Sequence, residues 1–279
     1  MHRRYTRLTL LRELALVLAA GFFCLPFYLV FAIALETTAE TVKTPLSLPA
    51  SPQWGNFSEA WHAAGRSGLG GALVSSLVIT VSSVVGLIVL GSLGAYAIAR
   101  RRSRLNDFVY ILFVLGIILP FQLAIIPLYV AMGHLGLVGN YAGLIVLNIG
   151  LLMPLTVFLY TGFIRALPRD YEEAARVDGA GILQAYVRVV FPLLLPITGT
   201  VAVLTGIIVW NEFFVALLFL LGSGAETLPV ALYSLYIDSG IPQWNLLFAG
   251  VAITLAPILA FYLFAQRHLI RGFATGIKG

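Results

Sequence analysis

Reactive side chains are scarce in this 279-residue chain, and they gather in two places. The first is Leu167-Pro168-Arg169-Asp170-Tyr171-Glu172-Glu173-Ala174-Ala175-Arg176-Val177-Asp178-Gly179-Ala180-Gly181, with four carboxylates in nine residues. The second is Trp210-Asn211-Glu212-Phe213, a carboxylate in an otherwise apolar run. No His, Cys or carboxylate cluster has metal-ligand spacing, so no metal site is expected. The four histidines (His2, His62, His134 and His268) are scattered and read as non-catalytic. Cys24 is alone, which forbids an intrachain disulfide and leaves the redox compartment open. No Gly-x-x-x-x-Gly-Lys-Ser/Thr loop is present to cradle a nucleotide phosphate. The chain is therefore expected to hold no cofactor and not to hydrolyse ATP by itself.

The acidic stretch has the grammar of a short helix. Pro168 suits the start, where a missing N–H costs nothing. Asp170, Glu172 and Glu173 complement the positive end of the helix dipole. Glu172 and Arg176 are spaced as a favourable i,i+4 pair. Gly179 and Gly181 end the helix. A face of Tyr171, Ala174, Ala175 and Val177 is small and mildly apolar. Two readings remain: a knob that enters a groove on a partner, or a solvated connector at the lipid interface.

The elements that position these residues follow from composition. Hydrophobic residues make up 60% of the chain and charged residues 10%, with a mean hydropathy of +0.97. That excludes a disordered chain. A soluble globule with this much apolar surface would leave large patches in water. Uncharged runs long enough to cross about 30 Å of hydrocarbon as a helix occur at 14–35, 72–99, 108–132, 141–163 and 246–265. A sixth, 189–221, is broken only by Asn211 and Glu212. The runs are apolar on all sides, which favours helices over the alternating segments of a barrel. The expectation is an all-α polytopic membrane protein, one domain over 1–279 with six spans.

Orientation follows from the basic residues, which concentrate on the cytoplasmic side. Of 17 Lys and Arg, all but Lys43 and Arg66 fall on one side of the six-span scheme. They are Arg3, Arg4, Arg7 and Arg12; Arg100, Arg101, Arg102 and Arg104; Arg165, Arg169, Arg176 and Arg188; and Arg267, Arg271 and Lys278. Both termini are thus expected in the cytoplasm. Ala32-Ile33-Ala34 has the look of a signal-peptidase site. The apolar run before it is longer than the ~7–15 residues of a signal peptide, which favours an uncleaved anchor.

Gly91, Ala95 and Ala99 form a small-residue face for close helix packing. Pro120, Pro127, Pro154, Pro192 and Pro196 interrupt the third to fifth spans, as in a bundle that moves, although static bundles also carry such kinks. Glu212 is the one formal charge inside the proposed spans. With Asn211 it reads either as lining a translocation path or a helix interface, or as the end of the fifth helix near Trp210. Gln122 is likewise a path or an interhelical residue. Outside, Glu36–Gly71 carries Trp54 and Trp61, which read as interfacial anchors or as contacts for an external partner. The outer stretch 222–245 has no Lys or Arg.

Here the residues meet a resemblance. Glu173-Ala174-Ala175, Asp178-Gly179-Ala180, Pro192 and Pro196 resemble the EAA loop of bacterial ABC importer permeases. Val189-Val190-Phe191-Pro192 stands where that family usually has Ile-x-Leu-Pro, a mild departure. Ala95-Tyr96-Ala97-Ile98-Ala99-Arg100, Ile126-Pro127-Leu128-Tyr129, Trp210-Asn211-Glu212-Phe213, Thr227-Leu228-Pro229-Val230 and the tail from Gln266 to Gly279 are similar to the smaller permease of carbohydrate importers, the maltose and glycerol-3-phosphate type.

The resemblance implies a type I importer bundle in a bacterial or archaeal cytoplasmic membrane. It also implies a second permease, two ATPase subunits that carry ATP and Mg, an extracytoplasmic solute-binding protein, and no nucleic acid partner. By the same resemblance Glu173, Ala174, Ala175, Asp178 and Gly179 dock on the ATPase, and Thr275, Gly276 and Lys278 in the tail touch it. The rival is a stand-alone secondary transporter or channel that uses Glu212.

Overall fold

The computed structural model describes residues 7–44, 47–101, 103–237, 243–256 and 259. Among them all regular structure is helical. In chain order the helices are α1 (Arg7–Ala34), α2 (Thr38–Lys43), α3 (Gly55–Ala63), α4 (Gly68–Arg100), α5 (Arg104–Ile118), α6 (Ile125–His134) and α7 (Tyr141–Ala166). Then come α8 (Asp170–Val177), α9 (Ile182–Leu193), α10 (Leu195–Trp210), α11 (Phe214–Leu220), α12 (Leu228–Ile237) and α13 (Trp244–Ala256).

Three of these, α1, α4 and α7, are long and apolar enough to cross a membrane singly. The predicted spans 108–132 and 189–221 differ from expectation, because neither is one straight helix. Arg104–Ile118 and Phe121–His134 meet at 94°, and α9 meets α10 at 74°. With each bent pair taken as one crossing, the described helices supply up to five. The predicted span 246–265 begins in α13 and, apart from residue 259, continues outside the described residues after 256.

The breaks have local causes. Pro120 drives Leu119 into an extended conformation (φ −72°, ψ 127°), so α5 stops there. A 3₁₀ turn, Phe121–Ala124, then leads into α6. Pro127 lies in the first turn of α6, where a missing N–H breaks no helical bond. Pro154 stays inside α7 without ending it. Pro196 sits in the first turn of α10, just after the bend, and π-type turns span Tyr186–Val190 in α9.

The described chain divides into two compact units. One holds the residues up to Gly70 and from Ala231 onward; the other is Gly71–Val230. In the first unit, the outer segment is no bare loop, since it forms α2 and α3. Thr37 caps α2 in a reciprocal capping box with Glu40. Asn56 on α3 donates to the carbonyl oxygens of Ala34 (2.8 Å) and Glu36 (2.9 Å) and accepts from Asn245 (3.3 Å). That side chain ties the end of α1 to α3 and α13. Trp54 is exposed and stacked on Phe57, whereas Trp61 covers Gly70, where a Cβ would lie 2.9 Å from its indole.

In the second unit the small-residue face of α4 packs on α7. A Cβ on Gly91 would collide with Thr156, and one on Gly86 with Ile149. Ala95 and Ala99 are buried, in a cluster with Val157, Tyr160 and Ile164. Ser75 and Tyr141 share a hydrogen bond of 2.9 Å at the other end of the same helix pair. Gly116 on α5 lies against the Pro154 ring of α7. Beside it an apolar groove of about 310 Å³ is lined by Leu119, Phe121, Gly150 and Leu155.

Candidate functional site

The acidic stretch folds as α8, a helix of two turns with a closed C-terminal end. Gly179 adopts φ +86°, the left-handed conformation that glycine takes without a Cβ clash. Its N–H donates to Arg176 O (3.0 Å), and the N–H of Ala180 donates to Ala175 O (2.9 Å). These are the two bonds of a Schellman motif. At the other end the N–H groups of Glu172 and Glu173 both donate to Arg169 O.

Glu172 is the residue that fastens this helix. The i,i+4 pair with Arg176 does not form. Glu172 turns inward, where its Oε1 accepts Arg100 Nε at 2.6 Å and its Oε2 accepts the Tyr96 hydroxyl at 2.9 Å. The two side chains of the ion pair are only 11% and 7% exposed, so the pair is shielded from solvent. The remaining Arg100 nitrogens donate to Leu167 O, the carbonyl just before Pro168, at 3.3 Å each. Tyr96 packs on Tyr186 of α9 at 5.0 Å between ring centroids, and Tyr186 shares a 2.6 Å hydrogen bond with Ser92. A long-range partner has thus displaced the local pair. Each Arg100 nitrogen has an acceptor, which offsets part of the desolvation cost of the buried pair.

With Glu172 turned in, the opposite side of α8 faces out. Glu173, Ala174, Asp178 and Gly179 are exposed and Ala175 is half-buried. Tyr171 and Val177 are also exposed, at 53% and 88%.

Asn211, Glu212 and Gln122 lie elsewhere in the same unit. α10 ends at Trp210, and Asn211 donates back to Ile207 O at 2.8 Å. The carboxylate of Glu212 accepts the N–H groups of Val215 and Ala216, at 2.8 Å each. It caps α11, where a negative charge meets unpaired donors and the positive end of the dipole. Gln122 is exposed on the 3₁₀ turn at the 94° bend. Thr275, Gly276 and Lys278 lie outside the described residues. Sequence reasoning named Tyr96 and Arg100 without a partner and assigned Glu172 to Arg176. Their meeting was signalled only by the i,i+4 spacing of Tyr96 and Arg100 on one face of α4.

This arrangement, a bundle of apolar helices with a short amphipathic helix bound to one end, is the fold of an ABC transporter permease. The crystal structure of a bacterial ABC transporter involved in the import of the acidic polysaccharide alginate superposes with a TM-score of 0.74, over 95% of this chain and 99% of that one, at 21% identity. Residues 87–275 match the family described as the binding-protein-dependent transport system inner membrane component, and the chain belongs to that family. A melibiose/raffinose/stachyose import permease of Bacillus subtilis is 36% identical over 95% of both chains. An sn-glycerol-3-phosphate transport system permease of Yersinia enterocolitica is 31% identical over 91% of both. The resemblance read from the loop and the tail is borne out. As a permease subunit the chain is a non-catalytic inner-membrane component of its transport system.

Proposed function

We propose that this chain is a permease subunit of an ATP-driven importer for a sugar or a related polyol or glycerophosphate. It forms the translocation path with a second permease and is driven by two ATPase subunits that carry the ATP and Mg. An extracytoplasmic binding protein delivers the solute. Both termini face the cytoplasm, and residues 1–279 make one six-span permease domain. The solute class rests on the melibiose and glycerol-3-phosphate relatives.

The coupling element is the loop 168–181. The observation that carries this is the Arg100–Glu172–Tyr96 clamp, which fastens α8 to the inner end of α4 while Glu173, Ala174, Asp178 and Gly179 stay open. A helix held this way transmits a push from an ATPase into a membrane-spanning helix rather than swivelling. Gln122 and Asn211, both exposed, are the path residues, and the tail residues Thr275, Gly276 and Lys278 brace the same ATPase. A stand-alone transporter that binds an ion at Glu212 is the weaker reading, because both carboxylate oxygens are already engaged by backbone N–H groups.

Crosslinking tests the proposal. In the assembled complex, Ala174→Cys should crosslink to an ATPase subunit, and the yield should change when ATP is added. A cysteine there that reacts only with lipid or solvent would refute the coupling role.

A further inference from the structure

Next to the clamp lies a cavity of about 420 Å³ lined by Ile98, Ala99, Arg100, Arg101, Asp107, Arg165, Leu167 and Arg169. The two basic runs that the sequence places in separate connections meet in this one space. Four arginines and one acidic residue, Asp107, line it. Arg100 is neutralised by Glu172. Arg165 lies over the Tyr110 ring at 4.6 Å and stands 4.0 Å from Asp107, a loose pair with both partners well exposed. Arg169 reaches only a carbonyl, Arg100 O, at 3.4 Å. Among the described residues no carboxylate pairs with Arg101 or Arg169. Positive charge gathered in a concave site without acids to balance it is a site that wants an anion.

The surroundings say which anion. The arginine bias puts this end of the bundle at the cytoplasmic leaflet, where phospholipid phosphates lie. α5, which contributes Asp107, exposes Leu105, Phe108, Ile111 and Leu112 along its outer face. A charged pocket above an apolar helix face matches a headgroup above its acyl chains. Guanidinium forks fit phosphate oxygens in pairs, and basic pockets between spans at this depth take anionic lipid headgroups.

We propose that this cavity binds the phosphate group of an anionic phospholipid of the cytoplasmic leaflet, held by Arg101, Arg165 and Arg169. Leu167 and Arg169 lead directly into α8, so the bound lipid steadies the root of the coupling helix. This consequence rests on the proposed coupling role; the binding itself does not.

The test is retention of phosphatidylglycerol by the purified full-length chain, followed by native mass spectrometry, with binding of inorganic phosphate to delipidated chain measured alongside. One basic residue near a charged surface contributes roughly fivefold in affinity, so the double variant Arg101→Gln/Arg169→Gln should weaken retention on the order of thirty-fold. Arg101→Lys/Arg169→Lys keeps the charge and should restore much of the loss, which separates recognition from misfolding. Lipid lost in the Gln variant and regained in the Lys variant supports a lipid headgroup. The same pattern for inorganic phosphate without lipid retention supports the oxyanion site but assigns it a soluble ligand. Equal retention by wild type and the Gln variant overturns the proposal, as does a Gln variant whose one defect is failure to assemble with the ATPase. None of these readouts needs transport, so the result stands apart from the importer reading.

Discussion

Arg100 and Glu172 are 72 positions apart in the chain, yet Nε and Oε1 stand 2.6 Å from each other at the C-terminal end of α4. Removing either partner leaves the other charge shielded and unpaired, which costs about 3–5 kcal/mol. Arg100→Met and Glu172→Met should each lower the thermal midpoint of the assembled complex and cut solute uptake more than ATP hydrolysis. The Arg100→Met/Glu172→Met double variant should be more stable than either single variant. A double-mutant cycle on the melting curves, read with uptake and hydrolysis in vesicles, checks this. Additive losses would mean the two residues are not coupled.

Glu173→Lys changes an exposed side chain and should leave the melting temperature within noise. If α8 meets an ATPase, this variant should nonetheless hydrolyse ATP without moving solute. Wild-type uptake would remove Glu173 from the contact.

Gly179 occupies a left-handed position that an L side chain enters at a cost of about 1 kcal/mol. Gly179→Ala should be mildly destabilising and leave coupling partly intact. Gly179→Pro cannot adopt that φ and also loses the N–H that reaches Arg176 O. It should break the end of α8 and uncouple hydrolysis from uptake. The ratio of ATP consumed to solute moved is the measurement, and equal ratios for the two variants would count against the motif.

Glu36, beyond the end of α1, is fully buried, and neither carboxylate oxygen has a hydrogen-bond partner. Burial and the nearby Glu40 charge raise its pKa above the ordinary 4.5, against a smaller downward pull from the adjacent Thr41 side chain. The backbone N–H and hydroxyl of Thr37 hold the Glu40 carboxyl low, so that neighbour stays ionised. Below the ordinary value Glu36 is neutral whether folded or unfolded. As pH rises the unfolded chain ionises first, and folded stability falls until Glu36 ionises in place. Glu36→Gln should therefore raise the melting temperature at neutral pH and make no difference in acid. A gain independent of pH would show that charge is not the cause.

For Glu212 the expected outcome is modest. Glu212→Ala removes a cap and should cost about 1 kcal/mol. Glu212→Gln keeps an acceptor and should retain most of the uptake. Abolished uptake in a stable Gln variant would restore the ion-site reading.

Much of the helical layout is legible in the residues themselves. The small-residue spacing of Gly91, Ala95 and Ala99 marks the side of α4 that meets α7, whereas Pro154, read as an interruption, sits inside an unbroken α7. The acidic helix and its glycine stop are equally plain, because capping and dipole effects act within a turn. Bends are harder to read. Pro120 and Pro127 look alike in sequence, but only Pro120 follows a residue forced out of the helix, whereas Pro127 sits where a helix starts. The ion pair was misread for a related reason. Local spacing offered Arg176 to Glu172, and only the packing of α4 beside α8 supplied Arg100. The burial of Glu36 leaves no local trace, since residues from α3 and α13 gather around that end of α1.

The corner at Leu119–Pro120 has a consequence for how this polypeptide lives in a bilayer. Before the corner, α5 has 15 residues and rises only about 22 Å. The hydrocarbon is ~30 Å deep. Past the corner the chain turns through 94°, and if α5 stands across the bilayer, hydrocarbon tails alone would meet a step there instead of a wall. Either the lipid film thins at that step or another polypeptide slots into it, so the third apolar segment is shaped for company rather than for solitude.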